Sequence, residues 1–187
     1  MIVTGVDIET TGLNQEEGHR IIEICFRHYD LASKKLIDTF TRRINPKRSI
    51  DPKAQAVHGI SLSELVTEPT WDDLDKDVAF HMAKSDLLIA HNMKFDGFFI
   101  AMELLRTTGE VPPVDTYCTM ENGRWATSLG KSPNLGELCF ALDVPYDRTK
   151  AHSAEYDVDV TMSCFFRGLD MGFYTIPAKE DDKKVAA

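Results

Sequence analysis

Up to residue 44 the polar and apolar positions of the chain follow the two-residue repeat of extended backbone. Residues 1–8, Met-Ile-Val-Thr-Gly-Val-Asp-Ile, are rich in β-branched side chains and predict a first strand, which Thr10-Thr11-Gly12 ends. A polar loop over 13–19 leads to a second strand over 20–29. Residues 30–35 supply a turn, and 36–44 alternate loosely as a third strand, so the three form an antiparallel meander. Beyond Asn45-Pro46 the period lengthens. Asp51-Pro52 followed by 55–60 predicts a short helix closed by Gly59, and Ser61 with Glu64 has the spacing of a capping box. Leu74, Val78, Ala79 and Met82 recur at helical spacing within 72–83. Residues 87–90 are apolar without alternation, the mark of a short strand buried on both faces. A helix then runs to about Thr108, with Phe99, Met102, Glu103 and Arg106 three or four apart. After Pro112-Pro113 come a minimal strand at 114–116, a return to helix over 118–127, and a helix over 135–142 capped by Asn134. The last strong element covers 155 to about 171, with a stripe of Val158, Thr161, Met162, Phe165 and Leu169. This order implies a mixed sheet with helices on its faces, an α/β protein without internal repeats.

Length and charge narrow this picture. A chain of 187 residues fits one domain, here 1–172, and the polar stretch that follows, 173–187 with Lys179, Glu180, Asp181, Asp182, Lys183 and Lys184, reads as a flexible or docking tail. No apolar run approaches the ~18 residues of a spanning helix, and the amino terminus starts directly on the strand without the order of a signal peptide. The expected location is the cytoplasm, with no membrane partner. Cys25, Cys118, Cys139 and Cys164 form no Cys-x-x-Cys pair, which excludes a zinc ribbon and a thiol redox motif and leaves them as core residues. A net charge of -9 has the wrong sign for a protein that coats nucleic acid. An enzyme that grips only a chain end needs few bases, so that class survives.

Candidate chemistry begins on the first strand. Asp7 and Glu9, two apart, project to one face, and paired carboxylates repel unless a hard cation lies between them or water solvates them. Asp96 falls in the first turn of the helix after 87–90, and Asp157 lies early in the last helix. Each alone could be a helix-stabilising acid worth ~0.3 to 1 kcal/mol. All four can converge at one end of the sheet.

Three segments carry these acids in order: Asp7-Ile8-Glu9-Thr10-Thr11-Gly12, Ala90-His91-Asn92-Met93-Lys94-Phe95-Asp96, and Ala151-His152-Ser153-Ala154-Glu155-Tyr156-Asp157. Together they resemble the DEDD superfamily of 3′-to-5′ exonucleases, in the subgroup with a catalytic histidine. The resemblance implies a ribonuclease H-like fold, from Asp7 to Asp157. It also implies that Asp7, Glu9, Asp96 and Asp157 hold two divalent cations, Mg²⁺ or Mn²⁺, with Asp7 bridging both and His152 acting as proton acceptor rather than ligand. The other subgroup has a tyrosine four residues before the last aspartate, where this chain has Ser153. Tyr156 stands at the wrong offset and is assigned to packing.

Thr11, Gly12, Leu13, His58, Gly59 and Ile60 match family positions that line the terminal-nucleotide pocket, and Thr10 beside them is a further expected substrate contact. Gly12 would let backbone approach the ligand, and Leu13 and Ile60 would wedge beside the base. His91, Asn92 and Phe95 are further contacts, and Phe95 and Phe98 are either stacking or core aromatics. Arg42, Arg43, Lys47 and Arg48 form the dense basic run, open to phosphates or to water. Among the competing histidines, His91 sits at a strand-to-helix turn in a structural or nucleotide-contact role, and His81 falls on a predicted surface helix. The implied substrate is the 3′ end of single-stranded DNA. Oligoribonuclease resembles this pattern but typically has Met after the Asp-x-Glu, where this chain has Thr10. Family members include proofreading subunits of bacterial replicative polymerases, so a DNA polymerase is an expected partner. The alternatives are an exoribonuclease acting on short RNA and a catalytically weak polymerase-binding module.

Overall fold

A computed structural model of the chain describes residues 1–176. The charged part of the expected tail, 177–187, lies outside the described residues. Five strands, β1 (Ile2–Thr10), β2 (Ile21–Asp30), β3 (Leu36–Arg43), β4 (Leu87–Ala90) and β5 (Asp115–Cys118), form one sheet in the order β3-β2-β1-β4-β5. The first three make the expected antiparallel meander, and β4 and β5 run parallel to β1. Helices α1 (Pro52–His58), α2 (Leu62–Leu65), α3 (Trp71–Ala83), α4 (Met93–Thr107), α5 (Thr119–Asn122), α6 (Leu135–Leu142) and α7 (Ala154–Asp170) complete the fold. Asn134 caps α6 and the Ser61–Glu64 box opens α2, both as the spacing predicts.

Alternation along the strands sends two apolar sets to two helical layers. Val6, Ile8, Ile24, Phe26, Phe40 and Leu88 pack against α3 and α4, whereas Val3, Cys25, Leu87, Ile89 and Tyr117 pack against α6 and α7. Leu87, Leu88 and Ile89 thus feed both cores, which is why β4 shows no polar alternation. Gly5 sets the spacing of one layer. A Cβ there would stand 2.6 Å from Met162 Cγ and 2.8 Å from Val158 Cγ1, so α7 rests on β1 through the missing side chain.

Three expectations are corrected. Residues 118–127 are not one helix: Gly123 closes α5, its amide bonding the Met120 carbonyl, and two 3₁₀ turns follow, with Leu129 left-handed at φ 61°. His81 is buried because the α3 stripe of Leu74, Val78 and Met82 continues through it toward the sheet. The packed domain also runs past residue 172. Tyr174 is buried between Tyr117 and Phe165, its hydroxyl donating to the Thr119 carbonyl at 3.0 Å, and Phe173 stacks on Trp125. All four cysteines are buried free thiols, consistent with a core role. Among the described residues no helix is long and apolar enough to cross a membrane.

Candidate active site

The carboxyl end of β1 and the amino ends of α4 and α7 meet at one end of the sheet and bring the four acids there. β1 runs two residues beyond the predicted strand end, so both Asp7 and Glu9 are held on its α7 side, half-buried. Asp96, 4% exposed, lies in the first turn of α4, and Asp157, 8% exposed, in the first turn of α7. The close seating of α7 on Gly5 brings Asp157 toward β1. One ligand atom each from Glu9, His152 and Asp157 lie within 4.8 Å of one another.

Asp157 also fixes the loop that carries the histidine. Its Oδ2 accepts the His152 amide at 2.9 Å, while its buried Oδ1 has no hydrogen-bond partner. His152 is exposed and left-handed, φ 65°, a conformation that costs a non-glycine residue about 1 kcal/mol or more. That amide bond ties the strained residue to Asp157.

The carboxylates are electrostatically expensive. Burial, reinforced by Asp96, Glu9, Asp157 and Glu23, raises the Asp7 carboxyl well above the ordinary range. Burial first, then Asp157, Glu23 and Asp96, pushes Glu9 up to about 9. Asp96 rises to about 7 through burial, although amides of Asp96 itself, Ile8 and Asn92 oppose the shift. Asp157 is raised by burial against the pull of the His152 amide and ring. An all-oxygen donor set, protonated more readily than it should be and including an orphaned buried oxygen, fits hard divalent cations. Asp7, Glu9, Asp96 and Asp157 are the residues that would hold them.

Sequence reasoning missed Glu23. It pairs with Glu9 across β1 and β2, is 8% exposed, and accepts the Ala154 amide at 3.1 Å, the first residue of α7. Arg43, its neighbour on β3, donates to it at 3.2 Å and also to Glu64 of the α2 capping box at 3.0 Å. Glu23 therefore anchors the helix that carries Asp157. Its signal was a carboxylate inside an otherwise apolar strand, which needs a partner to be buried.

The expected nucleotide-contact residues fall into two groups. Thr10 and Thr11 are buried and use their hydroxyls internally, Thr10 donating to the Gly12 carbonyl and Thr11 bonding His19 and the Arg20 amide. Gly12 makes room for the His19 ring, which a Cβ would strike. Ile60, 4% exposed, belongs to a core cluster with Ile22 and Leu65 and offers no face for a base. Leu13, by contrast, is 82% exposed on the rim. His58 is half-buried, its Nδ1 accepting the Ile60 amide, and burial lowers its pKa while Glu23 and His152 act on it from nearby. Asn92 makes no capping bond, and Phe95 packs on Phe99 at 4.8 Å with its ring half-buried. His91 bonds Thr119 at 3.1 Å and is held down to about 4 by burial. Phe98 is half-exposed on the outer face of α4.

The basic run is partly spoken for. Arg43 is engaged as described, Arg48 donates to the Glu17 carbonyl, and Arg42 lies over the Phe40 ring. Tyr156 packs beside Tyr146 and accepts the Asp147 amide, as a packing residue would.

A family model described as Exonuclease, RNase_T, matches residues 4–165. DNA polymerase III subunit epsilon of Escherichia coli (strain K12) is 29% identical over 163 residues, 83% of this chain and 66% of that protein, so the chain spans about two thirds of that relative. Among solved structures, Exonuclease X in complex with 5′ overhanging duplex DNA aligns with TM-score 0.69 at 22% identity, covering 92% of this chain and 94% of the other. The nuclease domain of 3′hExo, a DEDDh family member bound to rAMP, aligns with TM-score 0.73 at 18% identity over 95% and 96%. Both likenesses match the mixed five-stranded sheet described above.

Proposed function

We propose, for a chain that belongs to the exonuclease (RNase_T) family, that it is a metal-dependent 3′-to-5′ exonuclease acting on single-stranded DNA and releasing nucleoside 5′-monophosphates. One observation carries this reading: Glu9, His152 and the buried Asp157, one of whose oxygens has no hydrogen-bond partner, converge within 4.8 Å at the end of the sheet where Asp7 and Asp96 add two more costly acids. A site with no ionic task has no reason to keep so many groups away from their ordinary protonation states.

The division of labour follows from position. Asp7, Glu9, Asp96 and Asp157 would hold two Mg²⁺ or Mn²⁺ ions, which would supply activation of the attacking water and stabilisation of the leaving oxygen. His152, the exposed group of the cluster, takes a proton from that water as its oxygen attacks phosphorus and the bond to the 3′ oxygen breaks. Asp157 holds the loop of this base through the 2.9 Å amide bond. Leu13 is an exposed apolar side chain available to the terminal base, and Asn92 has a side chain free of capping duty.

DNA is favoured by the epsilon relative, named as a DNA polymerase subunit, and by the Exonuclease X complex with DNA. The same relative makes a polymerase, with a proofreading role, the partner to test. The deciding experiment digests matched 5′-labelled DNA and RNA oligonucleotides with Mg²⁺, Mn²⁺ or EDTA over time. A metal-dependent ladder shortening from the 3′ end, faster on DNA, is expected. Faster loss of RNA would make it an exoribonuclease, and intact oligonucleotides under every condition from folded protein would overturn the enzymatic reading.

A further inference from the structure

A second polar cluster occupies the other end of the sheet, on its α3 face. Thr4, His28 and Asp38 stand in one row across β1, β2 and β3. His81 of α3 and Ser85 just beyond it close over that row. Thr4 Oγ1 lies 2.7 Å from His28 Nδ1, and His28 Nε2 lies 2.8 Å from His81 Nδ1. One ligand atom from each of His28, His81 and Asp38 falls within 4.8 Å of the others. The His81 ring is sandwiched among Phe26, Phe40 and Phe80, with centroids 6.0, 4.5 and 5.4 Å away, which fixes its plane.

Proton counting sets the tautomer of His28. Ser85 Oγ stands 2.9 Å from the His81 carbonyl oxygen and 2.6 Å from Thr4 Oγ1. A carbonyl can only accept, so the single Ser85 proton goes there. The Thr4 hydroxyl must then donate to Ser85, and its oxygen accepts from the Nδ1–H of His28. His28 is left with a bare Nε2 lone pair aimed at His81. Burial holds His28 down to about 4 and lowers His81 as well, so both rings are neutral near pH 7.

We infer that His28 Nε2, His81 Nδ1 and an Asp38 carboxylate oxygen form a binding site for a transition-metal ion of the zinc class, separate from the carboxylate centre. Two imidazoles and one carboxylate are a donor set that borderline ions take and Mg²⁺ does not. The Thr4–Ser85–carbonyl chain supplies the outer hydrogen bond that orients a metal-bound histidine. With metal–nitrogen bonds of about 2.0–2.1 Å in a tetrahedral site, the two nitrogens would stand roughly 3.3 Å apart, so the rings need to open by only about half an ångström. The proton now on His81 Nδ1 moves to Nε2 of the same ring, and no net charge changes hands. Lys84 Nζ, 2.6 Å from Asp38 Oδ2, balances the carboxylate without an ion, and its partly exposed stem can turn to solvent when a divalent cation arrives. A bound ion would join β2, β3 and α3 at three points.

The test uses the full chain carrying Asp7→Asn and Asp157→Asn, which disables the carboxylate centre, titrated with Co²⁺ in excess Mg²⁺ and followed by visible absorption. Binding of one Co²⁺ with the intensity of tetrahedral coordination, displaced by Zn²⁺, is expected. Thr4→Val should weaken it about tenfold or more, and His81→Gln should abolish it. Asp38→Asn, a near-isosteric change at a partly exposed side chain, should also remove the tetrahedral signal and the rise in Tm that Zn²⁺ gives the parent, while circular dichroism shows the fold intact. Absence of Co²⁺ binding, or binding indifferent to His81→Gln and Asp38→Asn, would overturn the assignment and leave a proton-bridged histidine pair.

Discussion

Two rows of polar side chains cross the same three strands, on opposite faces and near opposite ends: Glu9, Glu23 and Arg43 under α7, and Thr4, His28 and Asp38 under α3. In the second, the hydroxyl and imidazole groups form a closed chain, and Lys84 balances Asp38. In the first, Arg43 answers Glu23, but Glu9 and its neighbours Asp7, Asp96 and Asp157 are left to repel one another, with one Asp157 oxygen unpartnered. The device is the same, a cross-strand row closed by a helix. What differs is whether the chain itself completes the row, and incompleteness marks the end where catalysis is proposed.

The comparison can be broken most severely at its unfinished end. Asp7→Ala or Asp157→Ala should reduce cleavage by roughly 10³-fold or more, the scale on which loss of one preorganised electrostatic group is felt, while circular dichroism shows the fold intact. Unchanged turnover would remove these residues from the centre. His152→Ala should lower kcat by about 10²- to 10⁴-fold, as expected for loss of a general base, with Mn²⁺ affinity by calorimetry nearly unchanged. A collapse of that affinity would make His152 a ligand, a role its nearness to Glu9 and Asp157 allows.

Glu23→Ala tests whether an anchor matters when it touches no reacting atom. Metal affinity or activity should drop about 10- to 100-fold, the range for residues that orient ligands, and Glu23→Gln should recover most of it, since an amide oxygen can still accept the Ala154 N–H. Equal loss in both variants would point to charge instead of anchorage.

The smallest effect is on stability. Glu9 near 9 and Asp96 near 7 bind protons more tightly folded than unfolded, where such groups titrate at about 4. Their stabilisation is fully present below about pH 4 and is lost as pH rises through the folded values, so in EDTA the Tm contribution from this site should fall from about pH 5 to about pH 9. Excess Mg²⁺ should flatten that slope. A metal-free Tm independent of pH across the window would mean the acids are not raised.

Local signals made most of the architecture readable. The β4 boundaries follow from an apolar run with polar flanks, and α6 from the Asn134 cap. The three acid-bearing segments placed the candidate centre because each acid sits at a strand or helix end that the pattern already located. Tertiary contacts hid the rest. Glu23 carries no motif, and its meaning appears only when Glu9 and Ala154 arrive from distant parts of the chain. His81 reads as polar surface until His28 stands opposite it, and Tyr174 reads as tail until Tyr117 and Phe165 enclose it. Ile60 and Gly12 look like pocket residues in the sequence, yet Ile22 and His19 take up the space around them.

Gly5 gives the site a mechanical tolerance. Because Met162 and Val158 press into the place where its side chain would be, the gap between the strand bearing Asp7 and the helix bearing Asp157 is set by an atom that is absent. One methyl group there would act as a wedge, prising α7 outward and widening the seat between two acids while altering neither. The calibre of the centre is machined at a residue that no substrate reaches.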